Sequence, residues 1–135
     1  MFSLPTLALS VVSIAHLLVG LDNLLKIPPY DPANFMVGGK PGKGDTPMEK
    51  LLETIMGGWY TSSIIGVLLA YFFGSTAMLS SSLVCPLLYH VLSAIVAMVF
   101  LEQWGICNKE KTSASSIGGF HILMSSLFGY LYYVN

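Results

Sequence analysis

The sequence predicts an all-α fold, a four-helix transmembrane bundle that forms one domain over residues 1–135. Of these residues 54% are hydrophobic and only 10% are charged, whereas an average soluble domain carries about 25% charged residues. Four apolar stretches are each close to the roughly 20 residues that a helix needs to cross a bilayer. The charged residues lie in or beside two of the connections between them. With a net charge of −1, the chain is not expected to bind nucleic acid.

The four predicted spans cover about residues 4–27, 54–73, 79–101 and 114–134. The first ends against the helix-stopping pair Pro28-Pro29. The second helix is expected to begin before its span, because Thr46 to Glu49 form a capping box with Pro47 at the first helical position. Such a helix has about 27 residues and a length near 40 Å, so it is longer than the apolar core of a bilayer.

A Pro/Gly-rich loop, Pro28 to Thr46, connects the first two spans. Its glycine and lysine residues, Gly38 to Gly44, do not match the phosphate-binding pattern G-x-x-x-x-G-K-[ST], so a flexible surface loop is predicted. All six lysines lie at the end of span one or in the connections that follow span one and span three. With four spans, both termini therefore share the opposite side, and the lysines face the matrix, stroma or cytoplasm.

The second span carries a small residue at every fourth position. This small-residue stripe consists of Gly58, Ser62, Gly66, Ala70 and Gly74. Membrane helices associate where small side chains let their backbones approach closely, so the stripe predicts a helix-packing seam along the whole span. A cofactor or a bound lipid in the same groove is the alternative.

Three histidines, His16, His90 and His121, lie within predicted spans, each on the small or polar face of its helix. We therefore expect each to point into the bundle or toward a partner protein. His16 and His90 lie about eleven residues from the charged-side ends of their spans, at equal depth. Such histidines could be structural, could bind haem b or chlorophyll, or could transfer protons. Neither cysteine belongs to a cluster with zinc-site spacing, so no metal site is predicted.

The sequence contains no complete set of catalytic residues of a known order. Glu53 and Glu102 lie near the membrane surface and could form a carboxylate pair for acid/base chemistry. Whether the chain is an enzyme stays open, with a non-catalytic role favoured.

Two short motifs carry a resemblance to known families. The end of the first span, from Leu18 to Pro28, and Glu53 followed by Gly57-Gly58 resemble the DoxX-like four-span membrane proteins. The layout is also similar to the ergosterol-biosynthesis scaffold proteins of the endoplasmic reticulum. That similarity lies in the residues Gly58-Trp59, Ser62-Ser63, His90 and Ser93. The resemblance implies a scaffold or accessory role, although the chain lacks the arginines that both families usually have.

We expect a non-catalytic accessory subunit of an energy-transducing membrane complex, either a respiratory-chain complex or a photosystem involved in electron transport. Its partners would be membrane lipids and other integral membrane subunits, in the mitochondrial inner membrane or the thylakoid. Two alternatives stay open. One is a small scaffold or enzyme of lipid or sterol metabolism in the endoplasmic reticulum, and the other is a membrane protein that binds haem b or chlorophyll.

Overall fold

The computed structural model describes residues 3–25, 47–100 and 114–135, and within them the chain forms four long α-helices. These are α1 (Leu4–Leu25), α2 (Pro47–Phe73), α3 (Thr76–Val99) and α4 (Ala114–Val134). Each contains a segment long and apolar enough to cross a membrane, so the predicted all-α membrane bundle is confirmed. The Pro/Gly-rich loop lies outside the described residues.

The boundary between α2 and α3 is set by Gly74 and Ser75. The backbone N–H of Gly74 donates to the Ala70 oxygen at 3.0 Å, and a Cβ at position 74 would lie only 2.6 Å from that oxygen. Ser75 caps α3, since its hydroxyl accepts a hydrogen bond from the backbone N–H of Met78. This cap starts α3 at Thr76, three residues before the predicted span, whereas α2 starts at Pro47 as its capping box predicts.

The helices pack in a ring in chain order, with α4 returning to α1. The closest contacts join α1 to α2 and α3 to α4, while the α2–α3 and α4–α1 interfaces are smaller. The bundle therefore consists of two tightly packed helix pairs. Apolar side chains from all four helices fill the space between the pairs, among them Val12, Ile64, Val67, Leu83 and Phe128.

The outer surface is as apolar as the core. Large hydrophobic side chains such as Leu18, Phe73 and Leu92 are more than half exposed. A surface of this kind would be unstable in water but suits contact with lipid chains. The distribution agrees with an integral, multi-pass membrane protein.

Helices α1 and α2 approach most closely at Gly20 and Gly57. A Cβ on Gly57 would lie 2.8 Å from the Asn23 Cβ and 2.9 Å from the Gly20 carbonyl oxygen. A Cβ on Gly20 would collide with the Thr61 hydroxyl. Both glycines are thus required by the backbone contact between the two helices.

We expect Gly57→Ala to lower the free energy of unfolding by about 1–3 kcal/mol, because the added methyl group would push α1 away from α2. Gly58→Ala is a matched control, since a Cβ there meets nothing within 4 Å in the described part of the chain. Better helix propensity should leave that variant unchanged or more stable by up to about 1 kcal/mol. Unfolding of the detergent-solubilised chain measures both, and equal effects would contradict the close crossing.

Candidate functional site

The three histidines predicted from the sequence meet at the centre of the bundle. His16 comes from α1, His90 from α3 and His121 from α4, and their exposed fractions are 1%, 0% and 3%. The prediction that each points into the bundle is confirmed. Buried ionisable side chains within a membrane helix are costly unless they are hydrogen-bonded, so their partners decide what the site can do.

The histidines form one continuous hydrogen-bonded chain, which we name the histidine chain. Nδ1 of His16 lies 2.9 Å from the Val12 carbonyl oxygen, in its own helix. Nε2 of His16 lies 3.1 Å from Nε2 of His90. Nδ1 of His90 in turn lies 2.8 Å from Nδ1 of His121. The predicted equal depth of His16 and His90 is confirmed by their direct contact.

The carbonyl group at one end fixes the direction of the whole chain. Each ring is neutral in this apolar setting and carries a single N–H, and a carbonyl oxygen can only accept. His16 must therefore donate from Nδ1 and accept at Nε2. It follows that His90 donates from Nε2 and accepts at Nδ1, so that His121 donates from Nδ1. Nε2 of His121 is left as a hydrogen-bond acceptor.

Aromatic side chains enclose the histidine chain. Phe128 stacks against the His90 ring with an interplanar angle of 18° and meets the His16 ring edge-on. Phe120 and Tyr60 complete this enclosure from α4 and α2. The apolar rings exclude water, which strengthens the hydrogen bonds that they surround.

Two tyrosines, Tyr60 and Tyr89, lie beside the histidines. Tyr60 is 1% exposed, and its hydroxyl donates to the Tyr89 hydroxyl oxygen over a long distance of 3.4 Å. The Tyr89 ring contacts both His90 and His121, with ring centroids 5.2 and 5.9 Å away. Tyr89 also contacts Trp59, with 4.2 Å between ring centroids. No motif in the sequence singles out these tyrosines, although Tyr89 directly precedes His90.

A cleft opens at the His121 end of the histidine chain. This α3–α4 cleft has a volume of about 320 Å³ and is lined by Tyr89, Leu92, Ser93, Val96 and His121, among others. A smaller cleft of about 170 Å³ lies between α2 and α3, on the side of Tyr89 that faces Trp59 and Tyr60. Nε2 of His121 makes no hydrogen bond within the part of the chain that the structure describes.

The histidine nitrogens pair with one another instead of converging on one point. Among the described residues, no group of three or more His, Cys, Asp or Glu side chains is placed to hold a metal ion. Haem iron or chlorophyll magnesium needs a free ring nitrogen, and here both nitrogens of His16 and of His90 are hydrogen-bonded. Binding of either cofactor at His16 or His90 would require one of these bonds to open, whereas Nε2 of His121 makes no hydrogen bond among the described residues. Cofactor binding stays a prediction. The proposed pair of Glu53 and Glu102 lies outside the described residues.

The small-residue stripe of α2 lies mostly outside the bundle. Among the residues that the structure describes, a Cβ on Gly58 or Gly66 would meet nothing within 4 Å, and Ser62 is exposed. Ala70 is buried in the core, and Gly74 belongs to the turn that ends α2. The contact with α1 is made instead from the neighbouring face, at Gly57. The described part of the chain therefore leaves space beside Gly58, Ser62 and Gly66.

Comparisons with protein-family models, with curated proteins and with solved structures found no match to this chain. The resemblance to the DoxX-like and ergosterol-biosynthesis scaffold families therefore stays a prediction.

The direction of the histidine chain predicts that the three histidines are not all in the same tautomer. We expect His16 and His121 to be protonated at Nδ1 and His90 at Nε2, because only this set satisfies every donor up to the Val12 carbonyl. Solid-state NMR of chain carrying ¹⁵N-labelled histidine in lipid bilayers measures the protonation of each ring nitrogen. Single His→Phe variants assign the signals. A His16 ring that is protonated at Nε2 would contradict the direction of the histidine chain.

The position of each histidine in the histidine chain predicts how far its replacement lowers the free energy of unfolding. His90→Leu leaves both His16 Nε2 and His121 Nδ1 without partners, whereas His121→Leu leaves only His90 Nδ1. We expect His90→Leu to lower the free energy of unfolding by about 2–4 kcal/mol and His121→Leu to lower it by about 1–2 kcal/mol. Ser81→Ala is a control on α3, because Ser81 is exposed and bonds only to its own helix. A larger loss for His121→Leu than for His90→Leu would contradict the central place of His90.

Proposed function

We propose that this protein is a non-catalytic subunit of a larger membrane complex and that it holds a partner by helix packing. The observation that carries the proposal is the outward part of the small-residue stripe, Gly58, Ser62 and Gly66. These residues share one face of α2, where Ser62 is exposed and an added Cβ on either glycine would meet nothing within 4 Å among the described residues.

Small residues on an outer face favour a protein partner over lipid. Glycine lowers helix stability by roughly 1 kcal/mol relative to alanine, so two half-buried glycines with open space beside them are unfavourable within one span unless something requires them. A close approach of another helix backbone is such a requirement. The same kind of packing occurs within the chain at the α1–α2 crossing, where Gly20 and Gly57 allow direct backbone contact.

The proposal extends to the kind of complex. A chain of four spans has almost no soluble mass, and its sequence holds no complete catalytic set. These features suit an accessory subunit of a respiratory-chain complex or photosystem in the mitochondrial inner membrane or the thylakoid. In that arrangement the lysine-bearing connections face the matrix or stroma and both termini face the other side. The Pro/Gly-rich loop docks on a neighbouring subunit.

Replacement of one glycine of the stripe by isoleucine tests the proposal. We expect the wild-type chain, extracted in mild detergent, to migrate in an assembly much larger than its own 14.6 kDa. Gly66→Ile should release most of the chain from that assembly, because the branched side chain holds the partner backbone away. Native gels and co-purification measure the assembled fraction.

Gly119→Ile is the matched control. Gly119 is an exposed glycine of α4, and a Cβ there also meets nothing within 4 Å. This variant should assemble like the wild type, because it lies outside the stripe. Migration of the wild-type chain alone, or equal losses in both variants, would refute the proposal. The proteins that co-purify distinguish an energy-transducing complex from the alternative, a scaffold of lipid or sterol metabolism.

A further inference from the structure

The α3–α4 cleft presents a defined hydrogen-bond acceptor at its inner wall. Because the histidine chain donates in one direction, from His121 through His90 and His16 to the Val12 carbonyl, Nε2 of His121 carries no proton. This nitrogen makes no hydrogen bond within the described residues, and His121 lines the cleft. An unpaired acceptor at membrane depth favours a partner that can donate to it.

A second side chain of the cleft, Tyr89, can donate a hydrogen bond. Tyr60 is almost fully buried, and the hydroxyl of Tyr89 is its one hydrogen-bond partner among the described residues. The Tyr60 proton is satisfied when Tyr60 donates, which leaves the proton of the Tyr89 hydroxyl available. Tyr89 lines the same cleft as His121, and their rings are in edge-to-face contact.

The remaining walls are mostly apolar and open to the bilayer. Leu92 and Val96 form the rim and are among the exposed hydrophobic side chains of α3. Ala97 and Ile117 line the cleft closer to the end of α3 and the start of α4. The volume of about 320 Å³ lies within the range of small-molecule sites, about 300–1,000 Å³. A ligand can therefore enter from the lipid without passing through water.

We propose that the α3–α4 cleft binds a membrane-soluble alcohol. Its hydroxyl group donates to Nε2 of His121 and accepts from the hydroxyl of Tyr89, while its hydrocarbon part lies along Leu92 and Val96. A hydroxyl group satisfies both polar groups at once, because it is a donor and an acceptor. A ketone, an ester or an ether can only accept, so it leaves His121 without a partner. An ammonium group can only donate, and its charge is costly at this depth.

Photolabelling of the full chain in phosphatidylcholine nanodiscs tests this proposal. The probe is hexadecan-1-ol with a photoreactive diazirine in its chain. We expect saturable labelling of α3 near Leu92 to Ala97, located by mass spectrometry. Excess hexadecan-1-ol should compete with the probe, whereas hexadecyl methyl ether, which cannot donate a hydrogen bond, should compete about fivefold less well. Equal competition by the alcohol and the ether would overturn the proposal.

Two variants locate the site. Tyr89→Phe removes only the donor and should reduce labelling about fivefold. Ser93→Leu fills the cleft, leaves His121 and Tyr89 in place, and should reduce labelling by at least as much. Ser81→Leu is the matched control, because Ser81 is an exposed serine of the same helix and lies outside the cleft. It should label like the wild type.

Circular dichroism and thermal unfolding show which variants fold. The labelling of either folded variant is sufficient to test the proposed site. Wild-type labelling of folded Ser93→Leu or Tyr89→Phe would overturn the proposed site. The outcome is independent of the proposed subunit function, because neither variant touches the small-residue stripe of α2.

Discussion

The hydrogen bond between His16 and His90 joins two helices that lie diagonally across the bundle. Helices α1 and α3 are not neighbours in the ring, and each packs mainly against its own partner helix. The interfaces between the two helix pairs are smaller than those within them. Since lipid supplies no hydrophobic force between membrane helices, the polar contact at the centre and the packing of apolar side chains around it hold the pairs in register.

This interaction also determines the surroundings of the site. His90 can bond to both other histidines only if α1, α3 and α4 bring them to the same depth. The antiparallel packing of α3 and α4 does so, since Gly118 lies against Met98 and Gly129 lies near Leu87. Phe128 then covers both His16 and His90. The polar centre and the apolar core next to it are therefore parts of one packing arrangement.

Hydropathy predicted the fold because bilayer thickness constrains helix length, and the four helices lie close to the predicted spans. The small and polar faces also predicted which way the histidines point. The direct contact of His121 with His90 was not predicted, because depth counted from the helix ends separates the two, and packing sets their actual register. Nor could the sequence tell which face of α2 meets α1. Gly57 and Gly58 lie on adjacent faces that both carry small residues, and lipid removes the polar contrast that marks the outer face of a soluble helix.

The hydrogen bonds of the histidine chain all donate in one direction, and this direction suits ligand binding better than proton conduction. A proton that arrived at Nε2 of His121 could move the N–H positions along the three rings, but the last acceptor is the carbonyl oxygen of Val12. This oxygen carries no proton that it could release, so the chain has an entrance at the cleft and no exit at its other end. A one-ended chain holds its terminal nitrogen as a constant acceptor. A constant acceptor suits a site that recognises a hydrogen-bond donor. A proton pathway would need an exit as well. Because the stripe on α2 and the cleft between α3 and α4 have no residue in common, the proposed partner helix on the stripe would not occupy the cleft. Helix packing and the binding of an alcohol are therefore compatible in one assembled complex.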